Sequence, residues 1–406
     1  MGLTMPPAAT PVNAVVAQCG GPTPVINASL AAVVTACRAS PAVERLWGCK
    51  LGLHGLVHGP WIELTHLSDA PLERLRTQPG AALGSSRYRT QPGDLTTLLQ
   101  RLATHKVGLL LLIGGNGTMA AAHAIAQEAG ATGYRAGGAP LRVVGIPKTI
   151  DNDLEGADAA PGYASAARFV AETTRAIGLD LRAMVGYDQV AVLEVMGRHA
   201  GWLAAAAALA RSAPDDPPHL ILLPEAPFDE ACFLARVQQV QRTQEVCLVV
   251  AGEGLRDPEG VFLAEKQQAA ERDATGQRML SLAAGVAPYL AQLVRSRLGL
   301  LCRQMRPDTI QRSCAALASP VDRHLAELTA SGAVAAALAG VSDVMVGATR
   351  TAAGWEATPV PLAEIIGRER RVPLTMFHAE TFDITPEFLA YARPLVGELS
   401  PAPVLF

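Results

Sequence analysis

The chain is 406 residues long, half hydrophobic (50%) and only 17% charged, a balance that excludes extended disorder and calls for one large or two fused globular domains with a sizeable core. Its 34 Lys+Arg against 37 Asp+Glu leave a formal charge of −3. No global basic field is therefore available to gather nucleic acid or an anionic membrane, and any anion must be bound locally.

No apolar run approaches the roughly 18 to 20 residues of a membrane-spanning helix. No basic residue precedes Arg38, and Pro6 stands where myristoylation requires Ser or Thr, so neither export nor lipidation is expected. Cysteines at positions 19, 37, 49, 232, 247, 302 and 314 form no CxxC pair and no zinc-like cluster. They read as reduced, mostly buried thiols of a cytoplasmic protein.

In chain order, the apolar runs predict strands at 14–18, 107–113, 142–145, 190–195, 219–223, 246–251, 298–302 and 344–346. Helical patterns fall between them at 24–38, 117–129, 163–184, 200–211, 229–241, 275–296 and 320–339. Short apolar runs alternating with longer helical ones mark parallel strands joined by crossover helices, which gives a doubly wound α/β class with two sheets. The Pro/Ala-rich opening is expected to be loose. Gly-, Pro- or Asp-rich interruptions at 130–139, 212–218 and 256–260 are too short to be free linkers.

Three strand-to-helix junctions carry chemistry. At Gln18-Cys19-Gly20-Gly21-Pro22-Thr23, glycines let the backbone approach a ligand, and free amides at a helix start attract phosphate oxygens; alone, such a motif is more often only a tight turn. The same grammar recurs at Ile113-Gly114-Gly115-Asn116-Gly117-Thr118. Two such loops at neighbouring strand ends suggest a polyphosphate site, and neither fits the Walker pattern or the dinucleotide GxGxxG. The third junction, Pro147-Lys148-Thr149-Ile150-Asp151-Asn152-Asp153, gathers a cation, a hydroxyl and two carboxylates. An Asp there can accept a proton from a substrate hydroxyl, and Lys148 can balance charge on a phosphoryl group; the plain alternative is an Asx-rich turn with solvated charges.

This third string, the later Glu194-Val195-Met196-Gly197-Arg198-His199-Ala200-Gly201-Trp202, the paired-glycine loops and Ile310-Gln311-Arg312 resemble the phosphofructokinase family, in the family's order, from about residue 12 to 346. The resemblance implies a phosphofructokinase fold of two Rossmann-like doubly wound domains with mainly parallel sheets. It implies a phosphoryl-donor domain at 12–160, completed by part of 311–400, and a fructose 6-phosphate domain at 161–310, with 1–11 loose. It also implies Mg2+-dependent transfer of a phosphoryl group to the 1-hydroxyl of fructose 6-phosphate, from ATP or pyrophosphate, by a homodimer or homotetramer.

Carried over by position, Asp151 is the expected base, with Lys148 and Arg87 stabilising the group in transfer. Gly20, Gly21, Gly117 and Thr118 bind the donor, and Thr149 and Ile150 line the transfer site. Met196, Gly197, Arg198 and Glu253 hold the sugar; Arg303, Thr309 and Arg312 clamp its 6-phosphate. Asn116 takes the metal-associated position usually filled by Asp, which removes one negative charge and leaves a catalytically weak regulatory subunit as a lesser alternative. Gln189 replaces an arginine of bacterial ATP-using members.

The two donor-reading positions disagree. Gly117 leaves room for the α-phosphate of ATP, whereas Lys148 stands where pyrophosphate users have Lys and ATP-specific bacterial members generally have Gly. The wording of 84–88, 147–153 and 311–313 looks most like the shorter pyrophosphate-dependent branch, which implies a reaction that is reversible and serves glycolysis or gluconeogenesis. The ATP-dependent reading is the alternative.

Overall fold

The computed structural model describes residues 11–266, 276 and 285–400. The segment 1–10, and positions 275 and 277–284 of the expected 275–296 helix, lie outside the described residues. The chain forms two compact units. One comprises Met1–Lys148, Gly156–Asp158 and Leu325–Arg368; the other comprises Thr149–Glu155, Ala159–His324 and Glu369–Phe406.

The first unit is built on a seven-stranded sheet in the order Gly354–Pro361, Val344–Thr351, Arg142–Pro147, Val107–Gly114, Val12–Gln18, Val43–Cys49, Trp61–Glu63. The two edge strands run antiparallel to their neighbours, and the five between them are parallel. Val12–Gln18 and Val107–Gly114 are buried at every position, as largely apolar strands are when helices cover both faces of a parallel sheet. Ile26, Leu30 and Val33 of the helix Ile26–Ala39 pack with Leu109, Leu111, Val334 and Val346 in one core.

Pairing of Val344 with Val144 draws the late strand back into this unit. The boundary therefore lies at Lys148 and the return segment at 325–368, where the sequence suggested 160 and a looser share of 311–400. Residues 311–324 and those from 369 onward belong to the second unit.

The second unit holds a four-stranded parallel sheet in the order Cys302–Met305, Val190–Val195, Cys247–Gly252, Leu220–Leu222. The strand expected at 298–302 begins only at Cys302, because the helix Val286–Leu298 runs on until Gly299 closes it at φ 68°. Beside the sheet lies an aromatic knot in which Trp202 and Tyr163 are fully buried. Their ring centroids are 6.4 Å apart, and Tyr391, from the helix Pro386–Val396, sits 5.2 Å from Trp202. Arg370 lies over the Trp202 ring at 4.1 Å.

All seven cysteines are free; Cys232 and Cys314 are partly exposed and the others buried. No helix among the described residues is long and apolar enough to cross a membrane.

Candidate active site

In the first unit, three strand tips meet through Lys148. The strand Val12–Gln18 ends in Cys19-Gly20-Gly21, Val107–Gly114 runs into the helix Asn116–Ala131, and Arg142–Pro147 delivers Lys148. The Lys148 ammonium donates to the Gly21 carbonyl at 2.7 Å, and its backbone amide donates to the Gly114 carbonyl at 3.0 Å. Lys148 is only 4% exposed.

Gly20 adopts φ +74°, and a Cβ there would press on the Lys148 nitrogen at 3.3 Å, so glycine is needed for both conformation and close approach. Gly117 differs: nothing lies within 4 Å of an added Cβ. The helix Asn116–Ala131 has no acidic side chain in its first turn, so the positive end of its dipole is left uncompensated there; the Thr118 amide donates to the Gly115 carbonyl at 2.8 Å. Burial drives the Cys19 thiol up to about 12, partly offset by Lys148 and Thr118; it is a packed neighbour of the loop, not a nucleophile.

The predicted Arg87 belongs to the same unit, on a stretch that lacks regular structure. Its neighbours fasten it: Ser85 Oγ donates to the Gly20 carbonyl at 2.6 Å and Ser86 Oγ to the Leu51 carbonyl at 2.8 Å.

In the second unit, Thr149, Ile150 and Asp151 sit on a segment locked at several points. The Thr149 amide donates to the Pro161 carbonyl at 3.0 Å. Its hydroxyl accepts from the Asp151 amide at 3.1 Å and donates to Asp153 Oδ1 at 3.0 Å. Asn152 takes φ 55°, a conformation Asn tolerates better than most residues. Its side chain donates to the Tyr391 hydroxyl at 2.7 Å and accepts from the Ala160 amide at 3.0 Å.

The aromatic knot thus holds the loop from beneath. Buried Asp322 holds its far end, accepting from the Gly162 and Ser165 amides at 2.8 and 3.1 Å and from the Ser165 hydroxyl. Burial pushes Asp322 up to about 6.

The remaining predicted residues, with two exceptions, gather at the end of Val190–Val195. Gly197 takes φ +123°, and a Cβ would meet the Ala200 carbonyl at 2.5 Å; one on Gly254 would meet the Arg198 carbonyl at 1.9 Å. The Met196 amide donates to Gln311 Oε1 at 3.0 Å, which ties the turn Asp308–Arg312, and with it Arg312, to the strand tip. The Glu253 amide donates to the Val195 carbonyl at 2.8 Å. Burial raises the Glu253 carboxyl, opposed chiefly by Arg198.

Arg303 does not join this cluster. Its guanidinium pairs with Asp188 at 2.7 Å and is 56% exposed, because register places Arg303 beside Ala191, four residues short of the strand's end. Thr309 is exposed on its turn.

The arginine that does stand at the strand tip is Arg306, which sequence reasoning missed. It approaches Glu194 Oε1 at 3.4 Å, while Glu194 Oε2 accepts from the Ala287 amide at 2.8 Å. Burial pushes Glu194 up to about 7. The available signal was the spacing: a side chain one residue past the neighbouring strand's end reaches the loop side, whereas one in mid-strand does not.

Parallel sheets whose tips present glycine amides, a buried lysine and a fixed aspartate have the build of a phosphotransferase, in which positioning and charge do most of the chemistry. A family model described as Phosphofructokinase matches residues 13–337, and the chain belongs to the phosphofructokinase family. It is 38% identical over 398 residues to the pyrophosphate--fructose 6-phosphate 1-phosphotransferase of Xanthomonas campestris, covering 96% of this chain and 92% of that protein.

The pyrophosphate-dependent phosphofructokinase of Nitrosospira multiformis superposes with a TM-score of 0.86 at 32% identity, over 98% of this chain and 94% of that one. An ATP-dependent 6-phosphofructokinase of Mycobacterium tuberculosis is more distant, at 32% over 362 residues, 88% of this chain and 95% of that protein. The chain is most like the pyrophosphate-dependent branch.

Proposed function

We propose that the chain transfers a phosphoryl group from pyrophosphate to the 1-hydroxyl of fructose 6-phosphate, giving fructose 1,6-bisphosphate and phosphate, in either direction. The observation that carries the donor assignment is Lys148, buried at the head of the Asp151 loop and fastened to Gly21. Pyrophosphate has no adenosine to grip, so its binding and transition-state stabilisation come from local charge and main-chain amides.

Gly20, Gly21, Gly117 and Thr118 hold the donor, and Arg87 and Lys148 balance the charge of the phosphoryl group as it moves. Asp151 accepts the proton of the sugar's 1-hydroxyl. The Thr149 and Asn152 hydrogen bonds keep its backbone fixed, so little reorganisation accompanies transfer. Met196, Gly197, Arg198 and Glu253 orient the sugar, with Arg312 and Arg306 supplying positive charge for its phosphate.

Magnesium takes hard oxygen donors. The side-chain oxygen of Asn116 is of that kind, while no group of three or more His, Cys, Asp or Glu that could hold a metal occurs among the described residues. Asn116 would hold the ion with most of its shell left to substrate phosphates and water, in keeping with how Mg2+ is usually held. When bound, the ion screens the charge of the phosphates. Assembly into a homodimer or homotetramer follows the family resemblance.

The open space over Gly117 is the feature that favours ATP as the second reading. A side-by-side assay of the purified chain with magnesium, fructose 6-phosphate and either donor decides between them. Product from pyrophosphate with little from ATP is expected; rapid product from ATP alone overturns the donor, and none from either overturns the activity.

A further inference from the structure

We propose that Tyr88 is a positioning residue whose hydroxyl, anchored on Asp94 and flanked by His58, sets the loop that carries Arg87. The proposal deepens the reading above and rests on the role given there to Arg87.

The loop between Leu83 and the helix Asp94–Thr104 has no strand or helix of its own at positions 84–91. Backbone without a ladder moves unless side chains hold it, and an exposed Arg adds four rotatable bonds of its own. On the N-terminal side, the pins are Ser85 on the Gly20 carbonyl and Ser86 on the Leu51 carbonyl. These tie Arg87 to the donor loop but leave its C-terminal flank open.

Tyr88 closes that flank. Its hydroxyl donates to Asp94 Oδ2 at 2.7 Å, and the same oxygen accepts from the Gln91 amide at 2.6 Å. Asp94 is 6% exposed. Its other oxygen lies 3.4 Å from His58 Nε2, which is also 3.3 Å from the Tyr88 oxygen. The His54 ring meets Tyr88 edge-on, with centroids 5.3 Å apart.

A carboxylate that accepts several N–H and O–H groups is held in its charged form, and charge-assisted hydrogen bonds are the stronger kind. The shifts agree: Asp94 is lowered, first by the Gln91 amide, and Tyr88 is raised, first by its bond to Asp94. So much polar material on one phenol is more than a solvent-facing turn requires. What it fixes is the peptide adjoining Arg87.

The test is a double-mutant cycle on the full chain, with pyrophosphate as donor. Tyr88→Phe removes one hydroxyl and keeps the ring. Expected is a loss of about tenfold in kcat with the KM for fructose 6-phosphate within about twofold, as follows from a displacement of about 1 Å at a phosphoryl-stabilising group. In an Arg87→Ala background the same change costs less than about twofold, because its route of action is gone. Asp94→Ala, which leaves the Tyr88 hydroxyl without its acceptor, gives a similar loss that does not add to that of Tyr88→Phe.

Equal losses in both backgrounds, additive losses of Tyr88→Phe and Asp94→Ala, or full activity of Tyr88→Phe overturn the proposal while leaving the role of Arg87 standing. Full activity of Arg87→Ala overturns that role, and the proposal with it. A melting temperature of Tyr88→Phe within about 2 °C of the native chain confirms that the kinetic loss is local.

Discussion

At the tips of Val12–Gln18 and Val107–Gly114 the first unit offers main chain: glycines, helix amides and one buried lysine whose ammonium is bound to a carbonyl. At the tip of Val190–Val195 the second unit offers ionisable side chains instead, with Glu194 and Glu253 set among Arg198 and Arg306. On the proposed reading, the first arrangement would bind a small anion by shape and fixed dipoles. The second would bind hydroxyls and a phosphate beside two carboxyls that burial raises. Substitutions of the charged groups should therefore act through charge placement in the first region and through protonation in the second.

The largest expected effect lies on the loop that starts the second unit. Asp151→Ala should lower kcat about 10³-fold with the KM for fructose 6-phosphate nearly unchanged, since a general base acts in the transition state; a comparable loss in KM would mean that Asp151 only binds sugar. Next, Lys148→Met should reduce kcat/KM for pyrophosphate about 10²-fold, and less for ATP, because it removes the charge and leaves the Gly21 carbonyl without its donor. Equal losses for the two donors would break the contrast drawn for the first region.

The glycines sharpen it further. Gly197→Ala, at φ +123° with a Cβ 2.5 Å from the Ala200 carbonyl, should cost about 2–3 kcal/mol in urea unfolding. Glu194 supplies the pH test. Its carboxyl rises from 4.5 to about 7, so between those values the folded chain holds a proton that the unfolded chain has released. That contribution is complete below about pH 4.5 and is lost as pH climbs through 7. Unfolding free energy should therefore fall by on the order of 2 kcal/mol between pH 5 and 8 more steeply in the native chain than in Glu194→Gln. Identical slopes would contradict the account of this cluster; Asp322, with the same sign, remains in both chains. The smallest effect belongs to Gly117→Ala, in open space near a helix start, with a stability change within about 0.5 kcal/mol.

The strands that position the site were legible because they are buried on both faces and so consist mainly of apolar residues. Val43–Cys49 and Gly354–Pro361 were not, since they are partly exposed: the first carries Glu44 and Arg45, and the second two prolines on an edge where Pro is tolerated. Pro386 and Pro394 likewise masked the helix Pro386–Val396, although Pro in a first turn is a start signal.

Loop identity was visible as motif, but the partners that hold the loops were not. Tyr391 under Asn152, Asp322 behind Gly162 and Asp94 behind Tyr88 lie 239, 160 and 6 residues from the groups they hold. The placement of Arg306 rather than Arg303 at the strand tip turned on the register of a strand that starts four residues beyond the Leu298 helix end.

The central claim, that pyrophosphate is the donor at the lysine-headed loop, is tested most directly from the product side. The purified chain, given magnesium, fructose 1,6-bisphosphate and orthophosphate, should generate pyrophosphate and fructose 6-phosphate, followed by phosphorus NMR until the mixture matches that reached from the opposite reactants. Persistence of the bisphosphate without any pyrophosphate resonance, in a preparation that phosphorylates fructose 6-phosphate from ATP, would contradict it.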